Sequence, residues 1–198
     1  MKLLDFVKLG SIFGVKNCFP CDVNEKDDRG ITPLIYAAIV GNLDMINLLL
    51  EMDANVNEKT HSGATALHCA ASKGYLKAAQ SLIRNGADVN CRDEHNSTPL
   101  INAVCSGNGR LVKFLLFQGV DINVVSLYGG TALSWSVIKR YPHMTRMITK
   151  AKLRTSVYTF IMCHKAARTQ GAVLEYQESS PLRCLPDLVA RRIAEEMF

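Results

Sequence analysis

Asp27-Asp28-Arg29-Gly30-Ile31-Thr32-Pro33-Leu34 opens a pattern that returns three more times, each copy 33 residues after the last. Thr32, Thr65, Thr98 and Thr131 keep that step, and so do Leu34, Leu67, Leu100 and Leu133. Gly41, Gly74 and Gly107 follow it, as do Asn57, Asn90 and Asn123. A fixed period of about 20–50 residues marks stacked supersecondary units rather than one globular core. Such stacks present a long binding surface.

Each feature of one copy has a physical reading. Gly30 suits a tight turn that needs positive φ. Thr32 can cap a helix, and Pro33 then stands at the first helical position, where its missing N–H costs nothing. Ala37 and Ala38 allow that helix to pack close to its neighbours. Gly41 ends it in the left-handed conformation. A second helix follows, with Met45, Ile46, Leu49 and Leu50 at helical spacing for burial. Three positions depart from the pattern. Asp53 stands where Gly86 and Gly119 stand in later copies, and Asn96 replaces a turn glycine. In the fourth copy Arg140 replaces the helix-ending glycine, and Pro142 is placed to open the second helix. That copy is expected to be bent or to act as a cap.

The segments Gly30-Ile31-Thr32-Pro33-Leu34, Gly63-Ala64-Thr65-Ala66-Leu67-His68, Asn96-Ser97-Thr98-Pro99-Leu100 and Gly129-Gly130-Thr131-Ala132-Leu133 resemble the ankyrin repeat. So do Asn85-Gly86-Ala87-Asp88-Val89-Asn90 and Gln118-Gly119-Val120-Asp121-Ile122-Asn123. The resemblance covers about residues 3–150. It implies an all-α solenoid of helix–turn–helix units with short β-turn tips, followed by a helical C-terminal extension. The expected division is a degenerate capping repeat at 1–24, four repeats at 25–150 and the extension at 151–198.

The resemblance also implies a concave groove lined by the loop tips and by the open face of each first helix. Carried onto this chain, the partner-binding candidates are Arg29, Tyr36, His61, Lys73, His95, Asn102, Tyr128, Trp135 and Lys139. Arg, Tyr and Trp dominate interface energetics. Trp135 has two readings, packing between repeats or partner contact. His68 holds the Leu-His position of the family, where the ring bridges neighbouring loops. Asn90 and Asn123 resemble the asparagines that hydroxylases modify in ankyrin proteins.

Other chemistry finds little foothold. Cys18-Phe19-Pro20-Cys21 has neither the strand-then-helix context of a redox motif nor a second cysteine pair at zinc spacing. His61 and His95 beside Glu94 read as contact residues rather than metal ligands. Gly107-Asn108-Gly109-Arg110 has no strand before it, so a P-loop reading fails its context. No catalytic residues, cofactor, metal or small-molecule substrate is expected, and nucleic acid is not expected as a partner. No apolar run approaches the ~18–20 residues of a membrane span. Met1-Lys2-Leu3-Leu4-Asp5 puts a charge where a secretion signal needs apolar residues. Seven cysteines without paired spacing fit free thiols in a reducing cytoplasm.

Charge is uneven. Residues 1–123 hold 12 basic and 13 acidic side chains, whereas residues 124–198 hold 11 and 5. No acid lies between Asp121 and Glu175, a span that includes Lys139, Arg140, Arg146, Lys150, Lys152, Arg154, Lys165 and Arg168. The plain reading is a solvated helical face; the sharper one is a contact for an acidic protein, phosphates or an anionic membrane. Beyond the period, residues 156–168 read as a helix packed on the last repeat. In the final segment Leu185, Val189, Ile193 and Met197 recur every four residues behind Pro186. That segment, 185–198, is similar to the start of an F-box, as in some ankyrin proteins of poxviruses and intracellular bacteria. The resemblance implies a Skp-type adaptor of a cullin ubiquitin ligase as a partner, with the host cytoplasm as the site of action for a secreted effector. The main expectation is a non-enzymatic protein–protein interaction module.

Overall fold

The computed structural model describes residues 2–18 and 20–170, with side chains as far as residue 156. Described residues form helices in consecutive pairs: α1 (Leu3–Lys8) with α2 (Ile12–Lys16), α3 (Pro33–Val40) with α4 (Leu43–Glu51), and α5 (Ala66–Lys73) with α6 (Leu76–Arg84). α7 (Pro99–Cys105) pairs with α8 (Gly109–Phe117), and α9 (Ala132–Ile138) precedes α10 (Pro142–Gln170). No strand occurs among the described residues. The chain divides into two compact units, 1–148 and 149–198, and α10 enters the second. The stretch 156–168 lies inside α10; residues 171–198, including the F-box-like segment, lie outside the described residues.

In the first unit the inner helices α3, α5, α7 and α9 pack side by side, with α4, α6 and α8 behind them. Small residues make this close approach possible. Ala37, Ala70, Ala103 and Ser136 hold equivalent positions one period apart, and all are buried. Leu34, Leu67 and Leu100 from the inner row and Leu49, Leu82 and Leu115 from the outer row fill the core between them. Burying each such leucine contributes about 1.5–3 kcal/mol. Caps fix the helix starts. The hydroxyls of Thr32 and Thr98 accept from the amides of Ile35 and Ile101, and Asn42 and Asn108 cap α4 and α8 in the same way.

The three departures from the period keep the backbone of the residue they replace. Asp53, Asn96 and Arg140 adopt φ of 61°, 54° and 58°. Arg140 therefore ends α9 much as Gly41 ends α3. The expectation of free thiols fails at one pair, because Cys18 and Cys21 are joined in a disulfide. The turn after α2 brings their Cα atoms to 5.8 Å, within the usual range for such a bond. Cys69 and Cys91 remain free, and burial pushes each thiol up to about 11.

Asparagine side chains tie successive copies together. Asn24 accepts from the amide of Asn55 at 2.8 Å, Asn57 from Asp88 at 2.8 Å, and Asn90 from Asp121 at 2.7 Å. Asn57 also donates to the carbonyl of Gly86 at 3.0 Å. Asn123 ends the series and makes no side-chain hydrogen bond among the described residues. Two stability results are expected. Arg140→Gly and Asp53→Gly should each stabilise by about 0.5–1 kcal/mol in urea titrations, because a left-handed backbone strains any residue with a Cβ. Asn57→Ala should cost about 1–2 kcal/mol, whereas Asn123→Ala should stay within about 0.5 kcal/mol of the parent.

Candidate functional site

The tips that precede each inner helix share one backbone design. Asp27, Thr60, Asp93 and Ser126 each accept at their main-chain carbonyl from the amide three residues on, at 2.8–3.0 Å. Asp27 Oδ1 also accepts from the amides of Arg29 and Ile31, both at 2.9 Å. Burial raises the Asp27 pKa, but these two donors outweigh it and hold the carboxyl below its ordinary value. Asp93 repeats the arrangement with His95 and Ser97.

Each tip is then bonded to the next. The amide of His61 donates to the carbonyl of Arg29 at 3.1 Å, Glu94 to Ser62 at 3.0 Å, and Leu127 to His95 at 2.8 Å. Gly30 is required by this approach, since a Cβ there would lie 2.8 Å from the His61 nitrogen. Because main-chain atoms carry the row, the side chains of the tips are left to face outward.

The candidates fall into three groups. Arg29, His61, His95 and Tyr128 are exposed on the tips. The rings of His95 and Tyr128, from neighbouring tips, stand 5.4 Å apart at a tilt of 44°. Tyr36, Asn102 and Trp135 lie on inner helices and are half-buried. Tyr36 packs on the core, and Asn102 accepts from the Ser97 hydroxyl at 3.3 Å. The indole of Trp135 folds back onto Gly130, and its Nε1 is buried without a hydrogen-bond partner. Lys73 and Lys139 are exposed at the opposite ends of their helices from the tips. Candidates Leu185, Pro186, Val189, Ile193 and Met197 lie outside the described residues.

The fourth tip extends the Tyr128 candidate to a larger contact surface, of which the sequence reading lacked Val125. Val125, Leu127 and Tyr128 make an apolar fourth tip, 50%, 72% and 68% exposed. The signal lay in the period: Val125 stands where earlier copies have Lys26, Lys59 and Arg92, and Leu127 where they have Asp28, His61 and Glu94.

Behind the tips, His68 joins two copies. Its Nε2 lies 3.0 Å from the carbonyl of Ser97, which can only accept, so Nε2 carries the proton. Nδ1 then accepts from the amide of Thr65 at 3.2 Å. Cys91 Sγ sits 3.5 Å from Nδ1, buried, with its thiol held protonated by the same enclosure. The pair is a packing contact between copies. Among the described residues no group of acids, histidines and cysteines could hold a metal ion, and no helix is long and apolar enough to cross a membrane.

Paired helices stepping along a bonded row of tips define a repeat solenoid of the kind that serves in protein–protein interaction. A family model described as ankyrin repeats in three copies matches residues 3–93 and again 77–159. The chain belongs to the ankyrin repeat family. No curated protein sequence matches it. The family match ends before the C-terminal segment, so the F-box resemblance finds no support in it.

His68 sets a pH dependence. Burial lowers its pKa, against the pull of the Ser97 carbonyl, so the folded chain favours the neutral ring. Its contribution is whole above the unfolded value of about 6.5 and is lost as pH falls from there through the lowered folded value. Thermal melts should show the parent losing stability between about pH 7 and pH 5, and His68→Gln should lose less across that window.

Proposed function

We propose that the chain is a non-enzymatic binding module that holds a partner protein along the row of tips, with the fourth tip as its apolar anchor. The exposure of Val125, Leu127 and Tyr128 together carries this reading. Three apolar side chains on one solvent-facing turn bury favourably only against another surface. The earlier tips supply Arg29, His61 and His95, which can donate hydrogen bonds around that anchor and set the partner's register. Ankyrin repeats are interaction modules in general, and this supports a protein as the partner.

The test is capture of partners from a eukaryotic cell extract by the parent chain, by Leu127→Asp and by Tyr128→Ala. Loss of an anchor of this kind should weaken capture by about 2 kcal/mol or more, roughly thirtyfold, with melting temperatures unchanged because both side chains are exposed. Capture unaffected by both variants would sink the reading. A chain ending at residue 183 tests the alternative, recruitment of a Skp-type adaptor through Leu185, Pro186, Val189, Ile193 and Met197. If adaptor and cullin are captured only by the full chain, the module is a substrate receptor as well.

A further inference from the structure

At the edge of the stack away from the tips, the helix turns of the second, third and fourth copies border a cavity of about 580 Å³ that is wide open to solvent. The length of an inner helix, roughly 10 Å, separates it from the tips. Lys73 closes α5 on one side, and Ser106, Gly107 and Asn108 form the turn between α7 and α8. Arg110 and Lys113 of α8 and His143 of α10 complete its polar lining. All of these belong to the first compact unit.

In the second and third helix pairs the first residue of the outer helix is Leu43 and then Leu76; in the next copy it is Gly109. A Cβ built on Gly109 meets only ordinary contacts, the nearest being Met144 at 3.8 Å, His143 at 3.9 Å and Met147 at 3.9 Å. A Cβ at 109 therefore meets no clash, and glycine leaves this rim without the leucine side chain that the neighbouring copies carry.

Its electrostatics are one-signed. No carboxylate lines it, and residues 95–174 contain a single acid, Asp121. Asp121 already faces Arg92 at 4.0 Å. Lys73, Arg110, Lys113 and His143 form no ion pair among the described residues. The period again shows where the charge came from: Arg110 stands where the second pair has Asp44 and the third Lys77, and Lys113 where they have Asn47 and Gln80. Unpaired cations gathered around a concave space concentrate field and attract anions. Backbone donors point the same way. Asn108 uses its side chain and carbonyl for the amides of Leu111 and Val112, which leaves the amides of Gly109 and Arg110 without an acceptor among the described residues. Free amides at the start of a helix complement negative charge.

We propose that this cavity is a binding site for a small anion carrying phosphoryl groups. Arg110 and Lys113 neutralise it, Lys73 closes over it, and the first amides of α8 donate to its oxygens. The site differs from a P-loop, which needs a strand before its glycines; here a glycine opens the outer helix and cations from neighbouring turns supply the charge. It does not rest on the tip row and could bind with the fourth tip altered.

The experiment is titration calorimetry of the full chain with inorganic pyrophosphate, compared across three variants. Gly109→Leu should abolish binding while leaving melting temperature equal or higher, because leucine would obstruct the approach to the first amides of α8, its Cβ meets no clash and it is the better helix residue. Lys113→Glu should weaken binding by at least about tenfold, and Lys16→Glu, the same charge change at a distant helix, should leave it within about twofold. A second arm uses phosphatidylcholine vesicles containing a phosphatidylinositol bisphosphate. Vesicle binding that Gly109→Leu removes would identify a lipid headgroup as the source, and pyrophosphate binding without vesicle binding a free phosphate compound. The proposal is overturned if neither probe binds, if Gly109→Leu binds like the parent, or if Lys16→Glu is as damaging as Lys113→Glu.

Discussion

The main-chain hydrogen bond from each tip to the one before it is the contact on which the stack depends. It passes from Arg29 to His61, from Ser62 to Glu94 and from His95 to Leu127, and no side chain takes part. Because backbone atoms bear the load, the residues at these positions can differ in every copy without changing the step. Arg29, Ser62, His95 and Tyr128 are chemically unrelated yet occupy one structural place. A surface built this way separates what must stay constant, the turn conformation, from what can encode a partner. The asparagine series and the buried His68 reinforce the same joint from behind, so neighbouring copies are held at three levels.

The fold was legible because its requirements are local and repeat. A left-handed residue is needed at the same three places in each copy, and the period exposes any substitution there. Asp53, Asn96 and Arg140 looked like defects in the pattern, yet each adopts the positive φ of the glycine it replaces. Tertiary packing overrode a local preference of about 1 kcal/mol. Cys18 and Cys21 went the other way. Their spacing gave no reason to pair, and only the turn that follows α2 brings them within bonding distance. Trp135 could not be assigned from the chain either, since both of its readings use the same inner-helix position. Its indole lies against Gly130, a contact that depends on how one tip folds over its own helix.

The candidate site was legible only in part, for a related reason. Family resemblance locates tips and inner helices but weights them by residue type, which favoured Tyr36 and Trp135 over Val125. Both aromatic residues turn out to be half-buried, whereas the valine is open. Comparing each position across copies would have been more informative than comparing residue types within one. Lys26, Lys59 and Arg92 giving way to Val125 is a loss of charge at an exposed position. Leu43 and Leu76 giving way to Gly109 is a loss of volume at a covered one. Each substitution breaks a local rule with no gain to the fold, and such breaks are where function is to be sought.

The fourth tip and the cavity lie at opposite ends of the inner helices and differ in kind, one apolar and the other cationic. For a ligand at one to alter affinity at the other, the copies between them would need two alternative arrangements. The packing opposes this. Ala37, Ala70 and Ala103 set the inner helices too close to slide, and a shift of one copy would strand the asparagine and His68 contacts together. The buried His68 contact left without its partner would cost about 1–3 kcal/mol, and the exposed asparagine bonds would add less. A rigid frame with two chemically distinct surfaces would therefore hold ligands of the two at a fixed distance, and not pass a conformational signal between them.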